Sequence, residues 1–236
     1  MAVPEDALAG TANDGEGNSG IALQGRLFAY AYSFWRMSGA DQPSLASAAQ
    51  YGGSQSGIQF GYDLDGQRDS GLAIIARGAA TPSAGGEELA LGLRWQRPAN
   101  LPLALNAERR VILNGRDKWA IYAAGGFDGQ PLPARFRLDG YGQLGWASGD
   151  AGGAFFDTQL RASRPLARVS AAKVGAGAAI WAGGQEDVHR IDIGPTVTMD
   201  YPLGETRIDI RLDWRHRIAG NAHPGGGAAL TVATAF

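Results

Sequence analysis

The stretch TRIDIRLDWRHR, residues 206–217, decides the fold because it alternates without a break. Ile208, Ile210 and Leu212 fall on one face of an extended chain, and arginine and aspartate residues fall on the other. A polar face made of charges of alternating sign suits a wet, enclosed space in which neighbouring strands can pair those charges. The aliphatic face ends in Trp214, and an aliphatic band that ends in an aromatic ring is what a strand presents to lipid.

The same alternation recurs over residues 26–236 and predicts about twelve strands, each near the length that crosses a bilayer at a tilt. The predicted fold class is all-β: a transmembrane, antiparallel, up-and-down β-barrel with both termini in the periplasm. A soluble β-sandwich or propeller is the competing fold, and it would bury the aliphatic face against a second sheet. Residues 1–25 are small, polar and acidic, and they predict a flexible N-terminal segment or linker, or alternatively a plug folded into the lumen.

Composition excludes several classes of protein. The chain has 236 residues, a formal net charge of −2 and no run of lysine or arginine, so nothing in its charge indicates a nucleic-acid partner. It contains no cysteine, which excludes a disulfide scaffold and a thiolate metal site. Its 36 glycines disfavour long helices.

The turns sort into two kinds, as an up-and-down barrel requires. The predicted periplasmic turns are DGQRDS (65–70), RPANLP (97–102), FDGQPLP (127–133), RPLA (164–167) and PLGE (202–205). Four of these five turns contain proline, which suits a turn and cannot continue a central strand. The intervening turns are rich in glycine, serine, alanine and asparagine.

Aromatic residues at the ends of the aliphatic faces predict a girdle at each lipid interface. The six tryptophans of the chain are all expected at strand ends on the aliphatic face. The predicted girdle residues are Trp119, Trp146 and Trp214 at the outer rim, and Trp95, Tyr201 and Phe236 at the inner rim.

The polar faces of the predicted strands carry charges of both signs, with basic residues in excess. The candidate lumen-lining residues are Arg94, Glu108, Arg110, Arg137, Asp139, Asp157, Arg161, Lys173, Arg190, Asp192, Arg207, Asp209, Arg211, Asp213 and Arg215. One interpretation is an interior that prefers anionic solutes, such as acidic saccharides, because the fixed charges focus them. The other is that the charges cancel in cross-strand pairs that brace the wall, and the regular alternation of sign favours it.

No catalytic, metal or cofactor site is predicted. His189, His216 and His223 are the only histidines, and they lack metal-ligand spacing. The chain has no GxSxG elbow, which leaves a membrane-embedded hydrolase as the least favoured interpretation.

Five stretches resemble known outer-membrane barrels. LTVATAF (230–236) is similar to the C-terminal signature that the barrel-assembly machinery recognises, which implies that machinery as a partner beside outer-membrane lipid. The stretches LPLALNAERR (101–110), RLDGYGQLGW (137–146), FFDTQLRASRPL (155–166) and RIDIGPTVTM (190–199) resemble the C-terminal barrel of bacteriophage adsorption protein A-like, polysaccharide-export outer-membrane proteins.

The resemblance covers roughly residues 55–236. It implies a Gram-negative outer membrane and a porin-like role, either as a passive channel or as the exit pore of a surface-polysaccharide export system. The alternative is a closed structural or receptor barrel whose extracellular loops bind partners such as phage.

Overall fold

A computed structural model describes residues 26–37, 54–65, 71–81, 86–96, 103–113, 115–149, 152–204, 206–223 and 225–236, so the predicted segment 1–25 lies outside the described residues. Twelve strands and one short 3-10 helix, Pro133–Arg135, make up the secondary structure of the described part. No helix among the described residues is long and apolar enough to cross a membrane. The strands are β1 Leu27–Met37, β2 Gln55–Asp63, β3 Gly71–Thr81, β4 Gly86–Gln96, β5 Leu103–Ile112, β6 Lys118–Pro131, β7 Arg137–Ala147, β8 Gly153–Val169, β9 Ala172–Gln185, β10 Val188–Leu203, β11 Thr206–Gly220 and β12 Gly227–Ala235.

The strands form one closed antiparallel barrel, as the sequence predicts. Each strand pairs with its neighbours in sequence, and β1 pairs with β12 to complete the ring, for example Tyr30 with Ala235. Because the number of strands is even, both termini of the barrel lie at one end, here called the terminal end. The other end is called the opposite end.

The two faces of the sheet are inverted relative to a water-soluble sheet. On β4, Leu91 is 63% exposed on the outer face, whereas Arg94, which points inward from the same strand, is 3% exposed. Full burial of a leucine is worth about 1.5–3 kcal/mol. In water, the outward Leu89, Leu91, Leu93 and Trp95 of this one strand would therefore forgo several kcal/mol, on the scale of the roughly 5–15 kcal/mol that stabilises a whole domain. In lipid this exterior costs nothing, and the molecule is built as a transmembrane barrel.

The middle of strand β1 is an exception, because its large aromatic side chains Phe28, Tyr30, Tyr32 and Phe34 face the lumen. Tyr30 and Tyr32 are buried inside and stack at 5.9 Å between ring centroids. The neighbouring strand β2 makes room for these rings with glycines. A Cβ atom at Gly61 would lie 1.9 Å from the Phe28 ring, and one at Gly57 would lie 2.7 Å from the Tyr32 ring. The small residues of β1 instead face outward.

The predicted turn RPLA is wrong, because residues 164–167 belong to β8 and the chain reverses at Ser170, which has a φ of 55°. Proline fits there because β8 pairs with β7 only as far as Ser163, so Pro165 lies on a free edge where no hydrogen bond to β7 is required. The β8–β9 register also shifts between Pro165 and Ala167.

The predicted turn FDGQPLP is only partly correct. β6 continues to Pro131 through a register shift between Phe127 and Gln130, and the chain reverses over the 3-10 helix Pro133–Arg135. Pro165 lies on a strand edge, and Pro131 ends β6 just after its register shift. Neither proline therefore marks the exact position of the turn.

Candidate functional site

The structure places the charged residues of the alternating strands on the inward face. Those buried or partly buried in the barrel include Arg94, Glu108, Arg110, Asp139, Asp157, Arg161, Arg190, Asp192, Asp209, Arg211, Asp213 and Arg215. Three other candidates, Arg137, Lys173 and Arg207, lie at the terminal-end rim, where they are exposed. The inward face also carries Arg36, Asp63, Arg77, Glu88, Lys118, Asp200 and Arg217. Basic side chains outnumber acidic ones on the inward face of the described strands.

The first set of charges, called the β3–β5 cluster, consists of Arg77, Glu88, Glu108 and Arg110. Arg77 Nη2 donates to Glu88 Oε1 at 2.6 Å and to Glu108 Oε2 at 3.1 Å. Arg110 Nε donates to the same Glu108 oxygen at 3.1 Å. The hydroxyl of Tyr122 donates to Glu108 Oε1 at 2.6 Å. Two guanidinium groups thus face two carboxylates, and this cluster is neutral and closely hydrogen-bonded.

The second set, called the β10–β11 cluster, consists of Arg36, Arg190, Asp192, Asp213 and Arg215. Arg190 forms two hydrogen bonds with Asp192: Nε donates to Oδ2 at 3.0 Å, and Nη2 donates to Oδ1 at 2.9 Å. Arg36 Nη1 approaches the same Asp192 Oδ2 at 3.4 Å. Arg215 Nη2 lies 3.5 Å from Asp213 Oδ2. Three guanidinium groups lie beside the Asp192 and Asp213 carboxylates, and the Asp157 carboxylate of β8 also acts electrostatically on Arg215.

Aromatic rings, rather than carboxylates, hold the guanidinium of Arg215. It lies 4.3 Å from the centroid of the Trp181 ring and 4.8 Å from that of Phe34. A guanidinium over a ring face is attracted by the ring quadrupole. The Trp181 ring is itself fixed, because its Nε1 donates to Gln159 Oε1 at 2.9 Å.

Trp181 corrects the expectation that all six tryptophans lie on the aliphatic face, because it is 6% exposed and points into the lumen. The other inward positions of β9 near its centre are small, namely Gly177 and Ala179, and they leave space for one large ring. A run of glycine and alanine gives little contrast between the two faces of a strand, so the alternation there could not assign Trp181.

The two clusters occupy opposite walls at the same end of the lumen. β4 and β10 are six strands apart in the ring of twelve. Glu88 and Arg110 lie near the opposite end of β4 and β5, and Arg190 and Arg215 lie near the same end of β10 and β11. A solute in this half of the barrel therefore has charged, hydrogen-bonding side chains on both sides.

The lumen also contains buried polar atoms that form no hydrogen bond within the described residues: the Tyr32 hydroxyl, Gln59 Nε2 and Thr196 Oγ1. Leaving such a group unsatisfied in a dry core costs about 1–3 kcal/mol, and buried polar groups are nearly always paired with protein or water. This pattern fits an interior that holds water between the charged walls.

Comparison with known proteins supplies a general likeness to outer-membrane barrels. No family model matches the chain, and no curated protein matches it. Among solved structures, an outer-membrane channel from Pseudomonas putida F1 is 13% identical, with a TM-score of 0.43 over 93% of this chain and 99% of that one. A NanC porin is 6% identical, with a TM-score of 0.44 over 88% and 98%. LpxR from Salmonella typhimurium is 11% identical, with a TM-score of 0.48 over 89% and 99%.

The closed barrel and its lipid-facing exterior, rather than these distant likenesses, make the chain an outer-membrane β-barrel. The predicted girdle residues all lie exposed on the outer face. Trp119, Trp146 and Trp214 are near the opposite end, and Trp95, Tyr201 and Phe236 are near the terminal end. Trp35, which the sequence did not assign to either rim, is also exposed near the opposite end.

The histidines lie apart from the charged lumen. His189 and His216 are exposed on the outward face of β10 and β11, and His223 is exposed in the loop that follows β11. Within the described ranges, no three His, Cys, Asp or Glu side chains come close enough together to hold a metal ion.

Sequence reasoning missed Arg36, and a signal for it was present. Arg36 follows Phe34 at a spacing of two and therefore shares the inward face of β1. The sequence did not assign Arg36 because the aromatic residues of β1 do not indicate which face of the strand lines the lumen. Phe34 was missed for the same reason, and Trp181 was missed because the glycine and alanine around it give little contrast between the two faces of β9.

Proposed function

We propose that the protein is a narrow outer-membrane channel that admits small anionic solutes. The observation that carries this proposal is the excess of basic over acidic side chains on the inward face of the described strands. Fixed charges that line a narrow space with low-dielectric walls raise the local concentration of ions of the opposite sign.

The scale of the effect is adequate for selectivity. Two unit charges 4 Å apart interact by about 4 kcal/mol at an effective dielectric constant of 20. A net positive charge on the wall beside the path would therefore favour a passing anion over a cation even after water has weakened the interaction. The neutral β3–β5 cluster on the opposite wall opposes this preference very little.

The packing of the interior limits the proposed solutes to small ones. Inward side chains at mid-barrel height, such as Tyr32, Arg77, Tyr122 and Arg161, are all buried. A polysaccharide could pass only if this layer of side chains moved aside. Export of surface polysaccharide therefore requires a larger structural change than passage of small solutes.

The same packing supports a second candidate of a different class. A barrel filled by its own side chains can serve as a closed structural or receptor barrel whose loops bind partners such as phage. Ion pairs that brace the wall, like those of the β3–β5 cluster, are what such a barrel needs.

Conductance and solute uptake separate the two candidates. Purified barrel is folded into planar bilayers, with folding verified by heat-modifiable gel mobility, and single-channel currents are recorded. The same preparation is placed in liposomes, and swelling is followed in glucuronate, glucose and maltoheptaose. Steady unitary conductance with faster swelling in glucuronate than in glucose supports the channel. Entry of maltoheptaose supports the export form, and a folded barrel without current or swelling supports the closed barrel.

A further inference from the structure

The guanidinium of Arg215 is paired less closely with a carboxylate than those of Arg77, Arg110 and Arg190. Arg77, Arg110 and Arg190 each donate to a carboxylate at 3.1 Å or less. Arg215 has an oxygen of Asp213 at 3.5 Å, and its Nε makes no hydrogen bond within the described residues. Its side chain thus keeps donor capacity that an incoming acceptor can use.

Two aromatic rings fix the position of the Arg215 guanidinium, and they leave its N–H donors unused. Trp181 on β9 and Phe34 on β1 contact it through their ring faces, at 4.3 Å and 4.8 Å. Ring contacts restrain the plane of the group but do not occupy its N–H donors. A fork of donors held in place in advance loses less conformational entropy when it binds an oxyanion.

Gly194 lets Arg215 reach Trp181. On β10, Gly194 lies beside Arg215 and pairs with Ala179 on its other side, so small residues separate Arg215 from Trp181. A Cβ atom at Gly194 would lie 1.7 Å from the Trp214 carbonyl oxygen, which shows how closely the two strands approach there. A larger residue at this position would push β10 and β11 apart.

Two more guanidiniums add positive charge to the same region. Arg36 and Arg190 meet at the Asp192 carboxylate, at 3.4 Å and 2.8 Å. Arg36 also donates to the Gly225 carbonyl oxygen at 2.6 Å, which ties the loop between β11 and β12 to the inner wall above the cluster. The region is therefore enclosed, polar and rich in guanidinium groups, with the Asp192, Asp213 and Asp157 carboxylates beside them.

We propose that Arg215, clamped by Trp181 and Phe34, is the centre of an anion-binding subsite for the carboxylate or phosphate group of a small solute. This inference rests on the proposed function, and it identifies the site in the lumen at which the solute binds. The bound group accepts hydrogen bonds from the edge of the Arg215 guanidinium, on the side away from Asp213. Arg36 and Arg190 contribute to the attraction through their charge.

The test is calorimetric titration of the folded full-length barrel in detergent with three probes: glucuronate, inorganic phosphate and glucose. Arg215→Gln removes the proposed donor fork. Arg207→Gln is the matched control, because it removes the same charge from a rim side chain that is half exposed and bonded to Asp209. Arg215→Lys keeps the charge but lacks the planar fork, and it serves as the second variant if the glutamine variant fails to fold.

The wild-type barrel should bind at least one of the two anions saturably and should not bind glucose. Binding confined to glucuronate identifies a carboxylate subsite, and binding confined to phosphate identifies a phosphate subsite. Arg215→Gln should weaken anion binding about tenfold or more, as expected for a charge-assisted hydrogen-bonded pair, and Arg215→Lys should fall between it and the wild type. Arg207→Gln should change affinity by less than about twofold, because Arg207 lies at the terminal-end rim, away from Arg215, where solvent screens its charge.

Three results would overturn the subsite: no saturable anion binding by the wild type, unchanged binding by folded Arg215 variants, or equal weakening by Arg207→Gln. The last result would mean that anion binding depends only on the summed electrostatic field of the lumen and not on a site at Arg215. These outcomes are distinct from failure of the proposed function. A barrel that binds glucuronate but carries no current loses the channel and keeps the subsite, whereas an anion-preferring channel without saturable binding loses only the subsite.

Discussion

The two charged clusters both combine arginine with acidic side chains and lie on opposite walls, yet they differ in how the arginines are held. The β3–β5 cluster has two arginines for two glutamates, with Glu108 accepting three hydrogen bonds. In the β10–β11 cluster three arginines lie beside two aspartates, Asp157 of β8 also acts on Arg215, and aromatic rings contact the third guanidinium. The difference teaches that alternating charge along a barrel strand has two uses. Closely paired charges brace the wall, and a guanidinium whose donors are not all used can, as proposed above, meet a solute.

The largest expected effect comes from breaking the balanced cluster. Glu108→Gln removes the carboxylate that joins Arg77, Arg110 and Tyr122, and it leaves buried guanidinium groups short of negative charge. Breaking a buried ion pair costs about 3–5 kcal/mol. We expect a loss of that order in the free energy of unfolding, measured by urea titration in lipid vesicles.

Glu87→Gln is the matched control, because Glu87 is exposed on the outward side of the same wall. It should change the free energy of unfolding by less than about 0.5 kcal/mol. If both variants unfold at the same urea concentration, the β3–β5 cluster does not brace the wall.

A smaller effect is expected from loosening the ring clamp. Trp181→Phe keeps an aromatic face but removes the Nε1 bond to Gln159. The expected destabilisation is about 1–2 kcal/mol, from one lost hydrogen bond and a weaker cation–π contact. The same variant should also lower anion selectivity, since Arg215 is less firmly held.

Urea unfolding and the current–voltage curve of Trp181→Phe are measured on the same preparation. A variant that loses stability but keeps its full selectivity would show that the ring serves only packing and does not position Arg215.

The smallest effect is expected at the exposed ion pair of Arg109 and Asp117, whose nitrogen–oxygen distance is 2.6 Å. Both side chains are more than one-third exposed, and such pairs contribute roughly 0–1 kcal/mol. Asp117→Asn should therefore shift the unfolding midpoint barely or not at all, which sets a baseline for the buried clusters. A loss as large as that of Glu108→Gln would mean that burial is not what distinguishes them.

The barrel itself was predictable because lipid and lumen impose a strict period of two. The alternation around Leu212 and Asp213 placed one residue outside and the other inside, and the structure has them there. Turn positions were less predictable, since Pro165 sits at a strand edge that only the pairing of β8 with β7 defines. Local sequence does not contain that information.

The clusters were only partly predictable. The sequence identified most of the charges that line the wall, but it could not say which of them meet, because pairs such as Arg36 and Asp192 are separated by most of the chain. The contact of Arg215 with Trp181 and Phe34 depends on three strands and on the small residues between them.

The most direct test of the comparison is the reversal potential of single channels in a tenfold gradient of potassium chloride. The account predicts that the wild type favours chloride over potassium, and that Arg215→Gln moves the reversal potential toward zero while Arg207→Gln moves it far less. A wild-type barrel that favours potassium, or an Arg215→Gln variant that keeps the wild-type reversal potential, would contradict the account.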